Sequence, residues 1–368
     1  MPEKTVLDDP EGIRKVDKSN MLSFCVEAAK HYEKAARLAK SFLVGYPKPK
    51  TVIVAGMGGS AIGGELLRDW ARDTAPVPIE ACRDYSLPVY ANKDTLVVVV
   101  SYSGETEESL SAFLDAVKRK CMIACISSGG TLQEYAETLG LPHMRVPSGI
   151  APRAALPYLF IPLPMILEKL GLVSNVQHTA SEAVKVLKAV SRENSPEKPL
   201  AANPSKMLAS SICGTVPVVY GSGFHRAVAQ RFKTQFNENS KIPAKWEFFP
   251  ELDHNEIVGW EKPHVLGKCF SIILIRDKAE PKTIKLRIET TKELMLKRGL
   301  KIHEVWSKGE ARMAKMLSTI CMGDFASVYL AVLRGVDPTP VKTIAALKEE
   351  LKKSGVKERL ARELRKLR

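Results

Sequence analysis

Four consecutive valines, Val97–Val100, run directly into a turn rich in hydroxyl groups. An uninterrupted apolar run of this kind predicts a strand that is buried on both faces of a parallel sheet. Ser101, Ser103 and Thr106 follow it, and a helix is predicted to begin immediately afterwards. Hydroxyls and backbone N–H groups at a helix N-terminus together form an anion site. We therefore predict a phosphate site at the carboxyl end of this strand, where open α/β sheets bind ligands.

Predicted strands and helices alternate around this segment, which is typical of an α/β fold with a parallel sheet. A helix capped by Asn20 is predicted over residues 20–41. The strands predicted in the first half cover residues 51–55, 77–82, 95–100 and 121–126. Since the chain has 368 residues, it is long enough for two domains.

The second half repeats the first in outline. A polar, Pro-rich stretch at 195–204 is predicted to be a linker, and Pro217–Tyr220 then forms a strand that leads into Gly221-Ser222-Gly223. Phe270–Ile275 corresponds to the valine strand but lacks a hydroxyl-rich turn, which predicts one phosphate site per chain. We expect an N-terminal helical extension over 1–45, a first domain over 46–195, and a second domain with a basic C-terminal helix over 196–368.

Composition restricts the possible partners. The chain has no run of 18 apolar residues and no apolar signal core near its start, so we predict a cytoplasmic protein without membrane contact. Its net charge of +14 favours an acidic small ligand. The basic tail lacks interleaved aromatic residues, so nucleic acid is not an expected partner.

The seven cysteines are predicted to be reduced and buried, and no cluster of side chains has the spacing of metal ligands.

The glycine-rich segment after the first strand has two interpretations. Gly56-x-Gly58-x-x-Ala61, with Glu80 as a ribose contact, fits a dinucleotide fingerprint and would indicate an NAD-dependent dehydrogenase. A dinucleotide fold has no need of a second, hydroxyl-rich turn, whereas a phosphate monoester site uses both turns. The valine-strand turn therefore favours a phosphate monoester.

Three residues are candidates for chemistry on such a ligand. Glu238 lies between two asparagines at a predicted helix end, and His254 lies in a polar loop. Each could be an ordinary solvated residue, but together they supply the groups for general acid–base catalysis. Arg153, between two prolines, either forms an ion pair at a domain junction or faces a developing oxyanion.

Five motifs together resemble one family, the archaeal-type bifunctional phosphoglucose/phosphomannose isomerases of the sugar isomerase (SIS-domain) superfamily. The resemblance extends over residues 45–350. Its motifs are Gly56-Met-Gly-Gly-Ser-Ala-Ile-Gly-Gly64, Ser101-Tyr-Ser-Gly-Glu-Thr106, Pro152-Arg-Ala-Ala-Leu-Pro-Tyr158, Phe236-Asn-Glu-Asn239 and Asp253-His-Asn-Glu256.

This resemblance implies two SIS domains, each a parallel sheet flanked by helices and related by duplication. It also implies a homodimer with shared active sites that isomerises fructose 6-phosphate reversibly to glucose 6-phosphate and mannose 6-phosphate. The reaction passes through a cis-enediol and needs no cofactor or metal. Whether both C2 epimers, glucose 6-phosphate and mannose 6-phosphate, are used depends on the volumes of the side chains in the pocket.

The resemblance also implies a role for each residue. Glu238 would move the proton between C1 and C2, and Arg153 would stabilise the enediolate. His254 of a partner subunit would assist ring opening, with Lys348 or its neighbour Lys342 as a second such group. The phosphate would be held by Gly58, Gly59, Ser60, Ser101, Ser103 and Thr106.

A non-catalytic SIS-domain sensor of sugar phosphates is the main alternative. Such a sensor needs the hydroxyl-rich turn but has no use for an acid–base pair. Glu238 and His254 therefore distinguish the enzyme from the sensor.

Overall fold

The computed structural model describes residues 5–262 and 264–366, which form two compact units. The first-sheet unit consists of His31–Ala180 and the described part of Val341–Arg368. The second-sheet unit consists of Ser181–Pro340 and the described part of Met1–Lys30. This division differs from the predicted domains, because each end of the chain packs with the sheet that is more distant in sequence.

Strands and helices are numbered in chain order. The strands of the described residues are β1 Thr51–Ala55, β2 Ile79–Cys82, β3 Thr95–Val100, β4 Met122–Ser127, β5 His143–Arg145, β6 Val216–Ser222, β7 Lys245–Phe249, β8 Phe270–Arg276 and β9 Lys301–Trp306. The α-helices are α1 Pro10–Val16, α2 Met21–Val26, α3 Ala28–Ser41, α4 Ile62–Ala71, α5 Glu107–Lys118, α6 Gly130–Thr138, α7 Leu156–Phe160, α8 Pro162–Lys169, α9 Val176–Glu193, α10 Pro204–Ile212, α11 Arg226–Glu238, α12 Glu256–Gly259, α13 His264–Gly267, α14 Lys282–Leu296, α15 Arg312–Leu333, α16 Lys342–Lys352 and α17 Val356–Arg365.

The first sheet has the order β2-β1-β3-β4-β5, and all its strand pairs are parallel. β3 and β4 are buried along their whole length, as the continuous apolar runs predicted. The predicted α/β fold and the strands β1 to β4 are thus confirmed. The three-residue β5 was not predicted, because a polar segment this short carries no periodic signal.

The basic C-terminal helix is part of the first-sheet unit. α17 packs against α5, and its Leu360 and Leu364 join the core around Phe113. Its Arg359 and Arg362 face solvent. The helix therefore covers apolar surface on the first-sheet unit, although it was predicted to belong to the second domain.

The second sheet has the order β7-β6-β8-β9 and is also parallel. β8 is buried from its second residue onward, whereas β7 and β9 are mostly half-buried edge strands. Neither edge strand was predicted, because charged and aromatic residues interrupt the apolar pattern of an edge strand.

α15 is the central helix of the second-sheet unit. It is long and apolar enough to span a membrane by length and composition, but 89% of its most apolar window is buried inside the protein. Leu7 and Ile13 of the N-terminal segment are also buried, and their helical turns contact α15. A helix that is apolar on all sides is expected where the core of a protein surrounds it.

Two local predictions need correction. The helix expected over 20–41 is divided into α2 and α3, and it is the Asp17 carboxylate, not Asn20, that accepts from the first N–H groups of α2, at 2.7 and 2.8 Å. The stretch 195–204 is not a linker: the buried Lys206 ammonium donates to the carbonyl oxygens of Pro196 and Lys198, at 2.7 and 2.6 Å. These bonds hold the polar stretch within the second-sheet unit.

Candidate active site

Two turns meet at the carboxyl end of the first sheet. The glycine turn, Gly56–Ala61, follows β1, and the phosphate turn, Ser101–Thr106, follows β3. Since β1 and β3 are adjacent and parallel, both turns lie at the same edge of the sheet. The chain reverses its direction of strand addition between these two strands, and such a switch point is where doubly wound sheets bind ligands.

Hydrogen bonds join the two turns and brace the phosphate turn. The backbone N–H of Tyr102 donates to Ser60 Oγ at 3.1 Å, which ties one turn to the other. The fully buried Ser101 hydroxyl donates to Thr106 Oγ1 at 3.1 Å. Ser103 is exposed and Thr106 is half-buried. Ser60 and Ser101 thus shape the turns, while Ser103 and Thr106 are the hydroxyls more accessible to a ligand.

Three glutamates, Glu105, Glu107 and Glu108, lie at or next to the start of α5. The Glu105 carboxylate accepts from Thr131 at the start of α6, from the N–H at 2.7 Å and from the hydroxyl at 2.9 Å. Glu107 is buried and hydrogen-bonded to the Tyr85 hydroxyl, and burial together with the charges of Glu108 and Glu107 raises the pKa of Tyr85. Two of the three carboxylates are therefore committed to other partners.

Arg153 lies beside the glycine turn. A Cβ added to Gly59 would stand 3.0 Å from the Pro152 carbonyl oxygen and 3.2 Å from the Arg153 nitrogen, so the two backbones are in close contact. Gly58 has a φ of +52°, which favours glycine. The Arg153 side chain is 3% exposed. A buried guanidinium thus lies in the same unit as the phosphate turn, next to its partner turn.

Glu238 is the last residue of α11 in the second-sheet unit, and it is half-buried. The residues after it are fixed to α15: Asn239 Nδ2 donates to Ser327 Oγ at 2.9 Å, and Ser240 Oγ donates to the Ser327 carbonyl at 2.6 Å. The Lys241 ammonium donates to the Glu238 carbonyl oxygen. The carboxylate is therefore carried on a rigid helix end.

His254 ends a short 3-10 helix, Glu251–His254, and its side chain is exposed. The neighbouring Asp253 carboxylate accepts from Arg287 at 3.1 Å and from the Thr291 hydroxyl at 2.9 Å. These bonds anchor the loop to α14 and leave the imidazole at the surface of its unit.

Lys348 and Lys342 are both exposed on α16, so their positions do not distinguish them. The first-sheet unit thus contains the two turns, Arg153 and both lysines. The second-sheet unit contains Glu238 and His254.

The corresponding end of the second sheet carries a different set of groups. The Asp277 carboxylate, just after β8, accepts from the Ser307 hydroxyl, from Lys315 Nζ at 3.0 Å and from the Ala279 N–H at 2.8 Å. Nearby His225 is buried, and its burial lowers the pKa to about 4, so the imidazole is neutral near pH 7. At this edge of the second sheet, the Lys315 ammonium is therefore already paired with a carboxylate of the protein, that of Asp277.

The dinucleotide interpretation is weakened at two points. The first sheet has the strand order of flavodoxin-like folds, not that of a dinucleotide-binding fold. Glu80, the residue expected to contact a ribose, accepts a hydrogen bond from the Tyr90 hydroxyl.

Across residues 5–262 and 264–366, no group of three or more His, Cys, Asp or Glu side chains could hold a metal ion.

Sequence comparison identifies related proteins. Residues 201–351 match the family described as the bacterial phospho-glucose isomerase C-terminal SIS domain. A bifunctional phosphoglucose/phosphomannose isomerase of Caldicellulosiruptor bescii is 45% identical over 82% of this chain and 89% of its own length. One of Aquifex aeolicus is 37% identical over 83% of this chain and 91% of its own.

Structure comparison gives the same fold. The crystal structure of a hypothetical protein of Thermus thermophilus has a TM-score of 0.74 and 14% identity, and the match covers 94% of both chains. At this identity the likeness concerns the fold alone.

Proposed function

The chain belongs to the family of bifunctional phosphoglucose/phosphomannose isomerases, and on this premise we propose that it converts fructose 6-phosphate reversibly into glucose 6-phosphate and mannose 6-phosphate. The observation that carries the proposal is the phosphate turn itself. It joins hydroxyls and a helix N-terminus to the glycine turn, with the buried Arg153 beside them. A sugar phosphate offers both an anion for the turns and a carbonyl end whose developing charge suits an arginine.

In this proposal the phosphate anchors the sugar and the other end of the molecule reacts. Ser103 and Thr106 donate to the phosphate, and the backbone N–H groups of Gly58 and Gly59 complete its binding. Ser60 and Ser101 keep the turns in shape through the bonds described above. Binding energy from the phosphate holds C1 and C2 in place for the proton transfer.

We assign the proton transfer to Glu238 and the stabilisation of the enediolate to Arg153. The C–H next to a carbonyl is weakly acidic, so a positioned carboxylate must act together with a group that stabilises the resulting oxyanion. Glu238 removes the proton from C2 of the aldose and returns it to C1, which leaves a cis-enediol between the two steps. Arg153 holds the negative charge on the enediolate oxygen.

Ring opening and assembly form the second part of the proposal. His254 of a partner subunit and Lys348, or Lys342, move protons during ring opening. A homodimer is also supported by α16, which exposes Ile344, Leu347 and Leu351 along one side at helical spacing. We assign the enzyme to the cytoplasm.

The deciding experiment follows fructose 6-phosphate in D₂O and resolves glucose 6-phosphate from mannose 6-phosphate. The proposal expects both products, with deuterium incorporated at C2. Titration with NADH is the control. Nicotinamide binding without sugar-phosphate binding would reject the isomerase in favour of a dehydrogenase, and tight sugar-phosphate binding without turnover would favour the sensor.

A further inference from the structure

We propose that Tyr102 is a positioning residue, which fixes the backbone that carries Arg153 and thereby couples the phosphate turn to enediolate stabilisation. This inference rests on the proposed function. Tyr102 lies inside the phosphate turn, between Ser101 and Ser103, and is 7% exposed. Sequence reasoning assigned it no role, and its only signal was an aromatic residue in an otherwise small and polar turn.

The Tyr102 hydroxyl bridges the two ends of a third turn, Pro147–Ile150, which we call the bridged turn. It donates to the Pro147 carbonyl oxygen at 3.0 Å and accepts from the Ile150 N–H at 2.8 Å. An ordinary β-turn joins the carbonyl of its first residue directly to the N–H of its fourth. Gly149, at the third position, has a φ of +80°, as a type II turn requires. In the bridged turn, the Tyr102 hydroxyl lies between these two backbone groups and takes the place of their direct hydrogen bond.

The rest of Tyr102 is equally well fixed. Its N–H donates to Ser60 Oγ, and its carbonyl oxygen accepts from the N–H of Ser128 at 2.8 Å and from the Ser128 hydroxyl at 2.7 Å. Burial raises the pKa of the phenol, so the hydroxyl remains a donor throughout the physiological range. One residue thus connects the glycine turn, the phosphate turn and the bridged turn.

The bridged turn leads directly to Arg153. Three residues after Ile150, the Arg153 backbone nitrogen lies against Gly59. The N–H groups of Ala154 and Ala155 donate to the Ala151 carbonyl at 2.8 and 3.1 Å, which fixes the segment leading into α7. The Arg153 backbone is therefore fixed by Tyr102 on its N-terminal side, by Gly59 beneath it and by α7 on its C-terminal side.

Loss of the hydroxyl should affect the chemical step more than binding. Tyr102→Phe keeps every backbone bond of the phosphate turn, so phosphate affinity should be preserved. It leaves the Pro147 carbonyl and the Ile150 N–H without their bridge, so the segment before Arg153 loosens. Small displacements of a group that stabilises charge in the transition state cost up to about 100-fold in rate.

The test compares wild type, Tyr102→Phe and Tyr46→Phe in steady-state isomerisation of fructose 6-phosphate. Tyr46 is a matched control, because its hydroxyl also donates to a backbone carbonyl of the same unit, that of Ile123, at 2.8 Å. We expect Tyr102→Phe to lower kcat about 10- to 100-fold, with KM and the inhibition constant of inorganic phosphate within about threefold. Tyr46→Phe should keep the wild-type kcat.

A double-mutant cycle tests the route through Arg153. If Tyr102 acts by placing Arg153, Tyr102→Phe should lower kcat no further in an Arg153→Ala background. Gly149→Ala strains the same turn without touching the hydroxyl and should reproduce the selective loss of kcat.

A wild-type kcat in Tyr102→Phe, equal losses in both tyrosine variants, or full additivity with Arg153→Ala would each overturn the inference. Inactivity of the wild-type protein toward fructose 6-phosphate would instead reject the proposed function.

Discussion

The placement of the C-terminal helix α17 gives a quantitative prediction. Leu364 is fully buried in the core of the first-sheet unit, next to Leu360 and Phe113. Leu364→Ala removes three buried carbon atoms and leaves a cavity, and substitutions of this kind cost about 2–5 kcal/mol. For a unit of this size, about 1 kcal/mol lowers Tm by roughly 2–4 °C. We therefore expect Tm to fall by about 6–12 °C for a loss near 3 kcal/mol.

The assay is thermal unfolding followed by circular dichroism, together with hydrogen exchange of α5. Leu43→Ala is the control, because Leu43 belongs to the same unit but is 79% exposed, and its Tm should stay within about 1 °C of wild type. In the Leu364→Ala variant, exchange of the α5 amides should accelerate, since α17 covers that helix. Equal Tm values for the two variants, with unchanged exchange of α5, would refute the packing of α17 against the first-sheet unit.

Three further predictions concern catalysis and stability. Glu238→Gln should lower kcat by about 10²- to 10⁴-fold while phosphate inhibition stays nearly constant, because the amide keeps the shape but cannot act as the base; normal turnover would reject the assignment. Ser103→Ala combined with Thr106→Ala should raise KM about 10- to 100-fold with little change in kcat, through lost hydrogen bonds to a charged ligand; an unchanged KM would place the phosphate elsewhere. His225 has its pKa lowered to about 4 by burial, so the unfolded chain binds a proton below about pH 6.5 that the folded state does not bind until the pH approaches 4. Urea unfolding at pH 7 and pH 5 should therefore show wild type losing about 2 kcal/mol more than His225→Gln, and equal losses would contradict this interpretation.

The parts of the fold that a single segment determines could be predicted from sequence. The valine run of β3 is buried on both faces, so its residues alone indicate its position in the sheet. The basic character of the C-terminal helix could be recognised from sequence, but this did not indicate which surface α17 covers. The partner helix α5 lies in the first third of the chain, and nothing local to α17 specifies it.

The same distinction applies to the candidate site. The hydroxyls of the phosphate turn could be identified because they lie close together in sequence. The contact between Gly59 and the Arg153 backbone could not, since it depends on how two distant segments pack. The role of Glu105 also required the structure, since its carboxylate accepts hydrogen bonds from Thr131 at the start of α6.

Each unit includes the end of the chain that is distant in sequence from its own sheet, and this has a consequence for synthesis on the ribosome. The first-sheet strands emerge early, but the surface of α5 covered by α17 stays open until residues 356–365 have been translated. The N-terminal segment, with Leu7 and Ile13, likewise has to wait for α15 before its apolar side chains are covered. Each unit therefore completes its core only after a distant segment has been made: the second-sheet unit waits for α15 and the first-sheet unit for α17. A chain truncated before residue 356 would expose the apolar surface of α5 that α17 otherwise covers.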